Sequence, residues 1–275
     1  MKIIVPMAGL GQRFVDAGYT DPKPLIHVAN KKVIEHIVDM FSVDDEFIFI
    51  CNEDHLSQTN MKEVLHEICK KCKIVSMPSH KKGPVFTVQQ VYDLIDDDEE
   101  VVVTYCDNPY LWDREDFLEY VKKNKLDGCI LSHSGFHPHT LNNTKMAFMR
   151  TVNNLVTEIK EKECYTDNPM NEHASTGTYY FSKGSYIKKY FDEAVINNIQ
   201  YNGEYYVTLV YNLLINDGLL VGYYDTPFAT VMGTPEEVDN IEAWNSILNK
   251  GQVKNEDDLL NCYRYWKDYY ESDLR

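Results

Sequence analysis

The sequence predicts an α/β protein in which helices cover both faces of a mixed, mainly parallel sheet. Apolar runs typical of buried strands alternate with helix-spaced apolar residues through the first half of the chain. This alternation requires crossover connections, which place parallel strands in one sheet between two helical layers. The chain has 275 residues, 44% of them hydrophobic, which is enough for one large domain with a sizeable core.

The first half of the chain supplies five predicted strands. They are Lys2–Ala8, Glu46–Asn52, Lys73–Pro78, Glu100–Cys106 and Gly128–Ser134. Apolar residues recur at helical spacing over 33–41 and 85–95, so helices are expected between the strands.

The second half no longer shows the regular alternation of strands and helices, but it contains no linker. Asn153-Asn154 predicts a hairpin between strands Lys145–Val152 and Leu155–Lys160. Further strands (Ser175–Ser182, Leu219–Asp225) and helices (Ser185–Asn197, Tyr205–Asn216) follow. We expect this half to share the sheet of the first.

Domain organisation is predicted as one domain over 1–245 and a C-terminal helical extension over 246–275. The extension carries an aromatic stripe at helical spacing, formed by Leu259, Tyr263, Trp266 and Tyr270. Packing of this stripe on the parent domain is favoured. A homodimer contact is the alternative, because Tyr and Trp are enriched at interfaces.

Charge and composition exclude several classes of protein. The net charge of −16 argues against a nucleic-acid partner and against an anionic membrane surface. No apolar run approaches the roughly 18 residues needed to span a bilayer. Pro6, Gly9 and Gly11 interrupt the first run, so no signal peptide is expected and the protein is predicted to be cytoplasmic.

The cysteines are predicted to be reduced. Seven scattered residues are an odd number, and a cytoplasmic location favours free thiols. Cys69 and Cys72 match C-x-x-C, but no second pair completes a zinc site, so a helix end beside a strand is favoured there.

The loop after the first strand is the strongest candidate for a functional site. Ala8, Gly9, Leu10 and Gly11 form a small-residue turn, and Arg13 and Lys23 add two cations beside it. Backbone N–H groups and fixed cations are what a polyphosphate needs. The turn is neither a dinucleotide fingerprint, since Phe14 replaces the third glycine, nor a P-loop, since no GK[ST] follows.

Asp107 is the candidate metal ligand. It follows a predicted buried strand, and ligands bind at the carboxyl ends of strands in open α/β sheets. A carboxylate there would hold Mg²⁺ together with waters. The alternative is a turn-forming aspartate, because Asn108-Pro109 follows.

Three histidines, His133, His137 and His139, lie within seven residues. Their H-x-x-x-H-x-H spacing crosses a Gly- and Pro-containing loop, without a Cys or carboxylate partner, which disfavours zinc. We interpret the segment as a loop that contacts the substrate, together with Thr176.

Six segments carry a resemblance to a known family. In chain order they are Gly9–Arg13 with Pro22-Lys23-Pro24, Thr104–Asp107, Glu161-Lys162, Thr176–Tyr180, Asn202–Tyr206 and Gly233–Glu237. Together they resemble the sugar-1-phosphate nucleotidyltransferases, of the branch that serves capsule and lipopolysaccharide synthesis, over residues 1 to about 240.

The resemblance implies a three-layer Rossmann-like fold and a pyrophosphate-releasing reaction. An NMP group would pass from an NTP (CTP, UTP or dTTP), with Mg²⁺ as cofactor, to a sugar-1-phosphate or related small phosphate. The product would be a precursor of surface polysaccharide.

The resemblance also assigns residues. Arg13 and Lys23 are the expected catalytic pair, and Asp107 the metal ligand. Nucleotide contacts are expected from Ala8, Gly9, Leu10, Gly11, Gly83 and Cys106, and substrate contacts from Glu161, Lys162, Thr176 and Gly177.

The chain departs from the family in one place. Many members carry a second metal-binding carboxylate just before the closing G-T, where this chain has Ala229-Thr230-Val231-Met232. We predict Glu204 as the substitute and rank it above Asp225, because Glu204 lies in a family segment.

Other activities stay open at this point. Cytidylyl transfer to a non-sugar phosphate, such as phosphocholine or an amino-acid-derived phosphate like phosphoglutamine, is the nearest alternative. A glycosyltransferase is disfavoured because Asp107-Asn108-Pro109 lacks D-x-D. A catalytically silent nucleotide-sugar sensor would not need Arg13 and Lys23.

Overall fold

The computed structural model describes residues 1–141 and 146–247. The strands are β1 Lys2–Met7, β2 His27–Val28, β3 Lys31–Lys32, β4 Glu46–Asn52, β5 Cys72–Met77, β6 Val101–Thr104, β7 Tyr110–Leu111, β8 Gly128–His133, β9 Ala147–Val152, β10 Leu155–Glu161, β11 His173–Phe181, β12 Val221–Asp225 and β13 Phe228–Ala229. The α-helices are α1 Gln12–Asp16, α2 Val33–Val38, α3 Glu53–Gln58, α4 Met61–Ile68, α5 Pro84–Gln89, α6 Arg114–Lys123, α7 Gly184–Ile196, α8 Val207–Asn216 and α9 Pro235–Ile247. Short 3-10 turns lie at Lys23–Leu25, Tyr92–Leu94, Pro138–Leu141 and Pro169–Asn171.

One nine-stranded sheet joins both halves of the chain, in the order β5-β4-β1-β6-β11-β8-β12-β10-β9. Seven of these strands run in one direction, and β10 and β11 run against them. The predicted mixed, mainly parallel sheet is therefore confirmed. Because β1 and β6 are parallel neighbours, the residues that follow them meet at one edge.

The predicted hairpin joins β9 to β10. Asn153 and Asn154 have φ of 53° and 64°, the left-handed conformation that a two-residue hairpin turn requires. The first residues of β11 also pair with β9, so this hairpin turns toward the strand that borders β6. The predicted start at Lys145 lies outside the described residues.

Helices cover both faces of the sheet, which makes three layers. Alternate residues of β1 point to opposite faces: Ile4 packs in a cluster with residues of α5, α7 and α8. Ile3 and Val5 pack in another with residues of α2, α4 and α6. Buried apolar side chains on each face fix the strand register, since a shift of one residue would exchange the faces.

Several predicted elements end earlier than their patterns suggest, and two of them bear on the site. The helix over 85–95 stops at Gln89, and Val91 leaves the helical conformation with φ −123° and ψ 19° before the 3-10 turn at Tyr92–Leu94. The strand over 100–106 ends at Thr104, and Cys106 turns into the loop that carries Asp107.

Other sequence expectations are placed by the same structure. Cys69 caps α4 and Cys72 begins β5, as favoured over a zinc pair, and both thiols are free. Helix α9 crosses the predicted boundary at 245, while residues 248–275, with the aromatic stripe, lie outside the described part. No helix in the described residues is long and apolar enough to cross a membrane.

Candidate active site

The glycine-rich loop packs directly on the segment that carries Lys23. Gly11 has a φ of 64°. A Cβ atom added to Gly11 would lie 3.7 Å from the Cβ of Lys23. Ala8 is buried at the end of β1, and Gly9, Leu10 and Arg13 are exposed. The loop thus presents backbone and one guanidinium at the sheet edge beside Lys23.

Lys23 forms an ion pair with Asp107, 84 residues further along the chain. Its Nζ lies 2.6 Å from Asp107 Oδ2. Burial works to lower the pKa of Lys23, but the Asp107 carboxylate outweighs it and raises that pKa above its ordinary value. Pro22 and Pro24 stiffen the backbone on both sides of the lysine.

The closing segment of the domain runs beside Asp107. Met232 N donates to the Asp107 carbonyl oxygen at 2.7 Å, and Thr230 N donates to that of Pro109 at 2.9 Å. These bonds place Gly233 against the Asp107 carboxylate. We call Gly11, Lys23, Asp107 and Gly233 the Lys23 cluster.

Cys106 is buried at the base of this cluster. Burial raises the pKa of its thiol to about 11, so the thiol is neutral at physiological pH. A neutral, buried sulfur contributes packing beneath the site and carries no charge toward a phosphate.

Thr176 and Gly177 lie in a bulge of β11. The register against β8 shifts between Ser175 and Thr178, and Gly177 has a φ of 81°. Gly177 O accepts a hydrogen bond from Tyr105 N at 2.9 Å, and the hydroxyl of Thr176 donates to Leu131 O at 3.0 Å. The bulge therefore ties β11 to the loop that precedes Asp107.

A second cluster surrounds Lys162. Its Nζ donates to the hydroxyl of Tyr206, and that hydroxyl donates to Glu204 Oε2 at 2.9 Å. Glu161 is buried and accepts from the Thr208 hydroxyl at 2.5 Å; burial raises the pKa of the Glu161 carboxyl. We call Glu161, Lys162, Glu204 and Tyr206 the Lys162 cluster.

Electrostatic coupling joins the two clusters. Burial and, to a smaller extent, Arg13 work to lower the pKa of Lys23 against the raising effect of Asp107. Burial raises the pKa of Tyr206, and Arg13 opposes that rise. Glu161 and Asp107 both raise the pKa of the buried Tyr179, which burial raises most. Residues from both halves of the sequence thus face one shared region.

Gly83 lies close to the backbone of Tyr205. The position of a Cβ on Gly83 would lie 2.8 Å from the backbone N and O of Tyr205, and its φ is 86°. Val85 N donates to Tyr205 O at 3.1 Å. Gly83 therefore docks the start of α5 on the segment that carries Glu204 and Tyr206.

The donor set fits a hydrated divalent cation better than a fully protein-bound one. No group of three or more His, Cys, Asp or Glu side chains within residues 1–141 and 146–247 could hold a metal ion. Mg²⁺ is commonly bound by one or two carboxylates, with waters and substrate phosphates completing its shell. Asp107, paired with Lys23, suits that mode, and Glu204 contacts Tyr206 within the Lys162 cluster.

The three histidines form a buried cluster. His133 and His139 bring their Nε2 atoms to 3.2 Å, and both rings contact that of His137. Burial lowers the pKa of His133, and lowers that of His139 to about 3. These side chains are neutral parts of the interior, and contact of this loop with substrate stays a prediction.

Sequence reasoning missed Tyr206 and the surroundings of Asp225. Tyr206 lies in the segment Asn202–Tyr206 that contains Glu204, so its place in that segment could have marked it as a site residue. Asp225 accepts from Ser132 at 2.6 Å and from His173 at 3.0 Å. No sequence pattern links those strand ends, because only the sheet order brings them together.

Comparison with known families identifies the chain. The model of the MobA-like NTP transferase domain matches residues 3–163, more than half of the protein. The chain belongs to this family. The matched region contains the loop of Gly11, the ion pair of Lys23 with Asp107, and Glu161 with Lys162.

Individual relatives are distant. The bifunctional protein GlmU of Clostridioides difficile (strain 630) is 23% identical over 248 residues, covering 86% of this chain and 50% of that protein. The chain thus spans about half the length of the curated relatives it matches.

Solved structures share the fold. A nucleoside-diphosphate-sugar pyrophosphorylase from Vibrio cholerae RC9 superposes with a TM-score of 0.70 at 22% identity, covering 88% of this chain and 99% of the other. The inositol-1-phosphate CTP transferase from T. maritima gives a TM-score of 0.65 at 12% identity, covering 87% and 94%. Both agree with a nucleotidyltransferase fold.

Proposed function

We propose that this protein is a Mg²⁺-dependent nucleotidyltransferase that moves an NMP group from an NTP to a sugar-1-phosphate, releasing pyrophosphate. The observation that carries the proposal is the meeting of Lys23 with Asp107, 2.6 Å apart, beside the Gly11 loop and Arg13. Cations, bare backbone and a carboxylate at one sheet edge suit a polyphosphate and its metal.

The reaction needs alignment and charge stabilisation more than covalent help. An oxygen of the acceptor phosphate forms a bond to the α-phosphorus, and the bond from that phosphorus to the bridging oxygen breaks. The electron pair leaves with pyrophosphate. Arg13 and Lys23 offset the charge that grows on the transferring and leaving phosphates, which is the largest contribution a protein makes to such a step.

Lys23 must change partners for this role. Its ammonium is held by Asp107 in the structure, and phosphate oxygens are the competing acceptors. When bound at Asp107, Mg²⁺ would neutralise phosphate charge and replace the lysine as the partner of the carboxylate. The ion pair is thus a resting arrangement that keeps both groups in position.

The Lys162 cluster is proposed to bind the acceptor. Lys162 supplies a cation for the acceptor phosphate, and the Glu161 carboxyl and the Tyr206 hydroxyl supply groups that suit sugar hydroxyls. Thr176 and Gly177 shape the wall between the clusters through the bulge of β11.

The fuller biological proposal adds context to this chemistry. CTP, UTP or dTTP is the proposed donor, the location is cytoplasmic, and the product is a precursor of surface polysaccharide. The family membership and the folds of the sugar-nucleotide and inositol-phosphate enzymes support a small phosphorylated acceptor.

A second candidate is cytidylyl transfer to a phosphate ester that carries an ammonium group. The ammonium of Lys162 lies 4.4 Å from the Tyr206 ring centre and 5.7 Å from that of Tyr201, with Glu204 hydrogen-bonded to Tyr206. Aromatic rings bind an alkylammonium by cation–π contact, and carboxylates bind it by charge attraction. Phosphocholine is the simplest acceptor of this kind.

Pyrophosphate release tests both candidates. The purified chain is incubated with MgCl₂ and each of five NTPs, paired with sugar-1-phosphates, inositol-1-phosphate and phosphocholine. We expect one donor–acceptor pair to release pyrophosphate well above the others, and Asp107→Asn to abolish that release. If no pair releases pyrophosphate, the proposed activity is wrong.

A further inference from the structure

We infer that Glu237 is the second carboxylate of the cation site, an inference that rests on the proposed function. The sequence lacks a carboxylate just before Gly233, and Glu204 was its predicted substitute. The structure places another carboxylate beside Asp107: that of Glu237, in the first turn of α9.

The two carboxylates converge on one small space at Gly233. A Cβ atom added to Gly233 would lie 3.0 Å from Asp107 Oδ2 and 3.4 Å from Glu237 Oε2. A side chain at position 233 would fill this space, so glycine keeps it open. Glu237 is 7% exposed, so its carboxylate is directed toward the interior rather than to solvent.

Helix capping accounts for only part of this geometry. Glu237 N donates to the Thr234 hydroxyl at 3.3 Å, which is one half of a capping box. In the other half of that motif, the glutamate would accept from the backbone N–H of Thr234. Here Glu237 Oε2 instead accepts from Gly233 N at 2.9 Å. The carboxylate thus reaches one residue further toward the N-terminus than the cap requires, to the backbone beside Asp107.

The charge balance creates a need for a cation when substrate is bound. In the structure, Lys23 compensates Asp107, and the Gly233 N–H and the start of α9 stabilise Glu237. When the phosphates attract Lys23, the Asp107 carboxylate loses its cation while the Glu237 carboxylate stays close to it. Like charges at such short range are unfavourable, and a divalent cation relieves both.

This arrangement makes cation binding depend on phosphate. Without phosphate, the Lys23 ammonium competes with a metal ion for Asp107. With pyrophosphate bound, the phosphate oxygens engage Lys23 and also supply oxygen ligands to the metal. Affinity for Mn²⁺, a spectroscopic substitute for Mg²⁺, should therefore be weak alone and at least about 10-fold tighter with pyrophosphate, a difference of about 1.4 kcal/mol.

The test measures Mn²⁺ binding by EPR, with and without pyrophosphate, in four variants. Glu237→Gln keeps a side chain that can complete the cap, because Gln serves in this motif as well as Glu, and removes only the charge. Thr234→Ala weakens the cap without touching a carboxylate. Glu236→Gln removes an exposed neighbouring charge, and Glu204→Gln removes the carboxylate predicted from the sequence.

We expect Glu237→Gln to weaken Mn²⁺ binding in the presence of pyrophosphate by at least about 10-fold while the melting temperature is kept. Thr234→Ala should lower the melting temperature and leave the Mn²⁺ affinity unchanged. Glu236→Gln and Glu204→Gln should match the parent protein in this assay.

The outcomes separate this inference from the proposed function. If the parent binds Mn²⁺ with pyrophosphate and Glu237→Gln binds it equally well, Glu237 is only a helix cap and the inference is wrong, whereas the proposed activity stands. If Glu204→Gln alone loses Mn²⁺, Glu204 is the second carboxylate and the inference is also wrong. If the parent binds no Mn²⁺ under either condition, the metal dependence in the proposed function fails with it.

Discussion

The two clusters of the site hold their lysines in different ways. Lys23 is paired with a carboxylate, Asp107, and is held between two prolines on a stiff segment. Lys162 donates to a neutral tyrosine hydroxyl and lies over aromatic rings. Under the proposed function, the ion pair fixes a charge for one invariant group, the polyphosphate, whereas the tyrosine can release Lys162 to acceptors of different shape. The comparison suggests that the first cluster sets the chemistry and the second the specificity.

Lys23→Met removes the cation of the Lys23 cluster and has the largest expected effect. Loss of one cation at the transferring phosphate should lower kcat by about 10²- to 10³-fold, as for other electrostatic groups of this kind. The measurement is steady-state pyrophosphate release with the best substrate pair.

Lys31→Met is the matched control for this change. The ion pair of Lys31 with Asp39 has the same 2.6 Å length, but its side chains are 53% and 55% exposed. The Lys31→Met variant should keep the kcat of the parent protein, because an exposed ion pair contributes little. An equal loss in both variants would contradict a special role for Lys23.

Gly177→Ala changes the bulge that ties β11 to the loop carrying Asp107. The new Cβ would lie 2.8 Å from Asn108 Nδ2 and 2.9 Å from Tyr105 Cδ2, at a φ of 81°. Backbone strain and crowding together should cost about 3 kcal/mol of the free energy of unfolding, measured with urea.

Gly218→Ala separates strain from crowding in that experiment. Gly218 has a similar φ of 79°, but nothing lies within 4 Å of its Cβ position. It should cost about 1 kcal/mol from strain alone. A difference near zero between the two alanine variants would mean that the bulge is not tightly packed.

Acid should weaken the fold through the buried histidines, near the Lys162 side of the sheet. Burial holds the pKa of His139 at about 3, whereas the unfolded chain protonates near 6.5. Between these values the unfolded state binds more protons, so stability is full above pH 6.5 and falls as the pH decreases toward 3. At pH 5 the loss from His139 should be about 2 kcal/mol relative to pH 8, and His133 acts in the same direction.

Urea unfolding at pH 8 and pH 5 measures this loss. His139→Gln should reduce the difference between the two pH values, while replacement of the exposed His27 by Gln should not. An identical pH dependence in all three proteins would show that another group controls acid stability.

Tyr206→Phe tests the Lys162 cluster and has the smallest expected effect. Removing the hydroxyl frees Lys162 and Glu204 from their shared partner while the ring stays. The KM for the acceptor should change by about 10-fold, and the KM for the NTP should stay within about 2-fold.

The neighbouring tyrosine gives the control. Tyr205 donates to Asn198 at 3.1 Å on the surface, so Tyr205→Phe should leave both KM values unchanged. A change in the NTP KM alone after Tyr206→Phe would assign Tyr206 to the donor side.

The sequence predicted the Lys23 cluster better than the Lys162 cluster for a physical reason. Gly11, Arg13 and Lys23 are close in sequence, and the alternation of strands and helices predicts that the loop after β1 and Asp107 after β6 lie at the same edge of a mainly parallel sheet. The bulge at Gly177 and the bond from Lys162 to Tyr206 depend on the antiparallel β11 and on the hairpin β9–β10. Strand periodicity alone does not give that sheet order.

The second carboxylate illustrates the same limit. Gly233 reaches Asp107 because hydrogen bonds of residues 230 and 232 align the closing segment with the loop after β6. The sequence marks the G-T-P-E-E segment but not its neighbour in space. Burial of the histidines was likewise hidden, because their polar, Pro- and Gly-containing segment is typical of an exposed loop.

The most direct test of the central claim follows the label of a radioactive NTP. With α-³²P-labelled donor, MgCl₂ and the acceptor found in the pyrophosphate assay, the label should appear in the acceptor product, and with γ-³²P-labelled donor it should appear in pyrophosphate. Asp107→Asn should transfer neither. Transfer of the γ-label to the acceptor, or release of free phosphate without any labelled product, would contradict nucleotidyl transfer at this site.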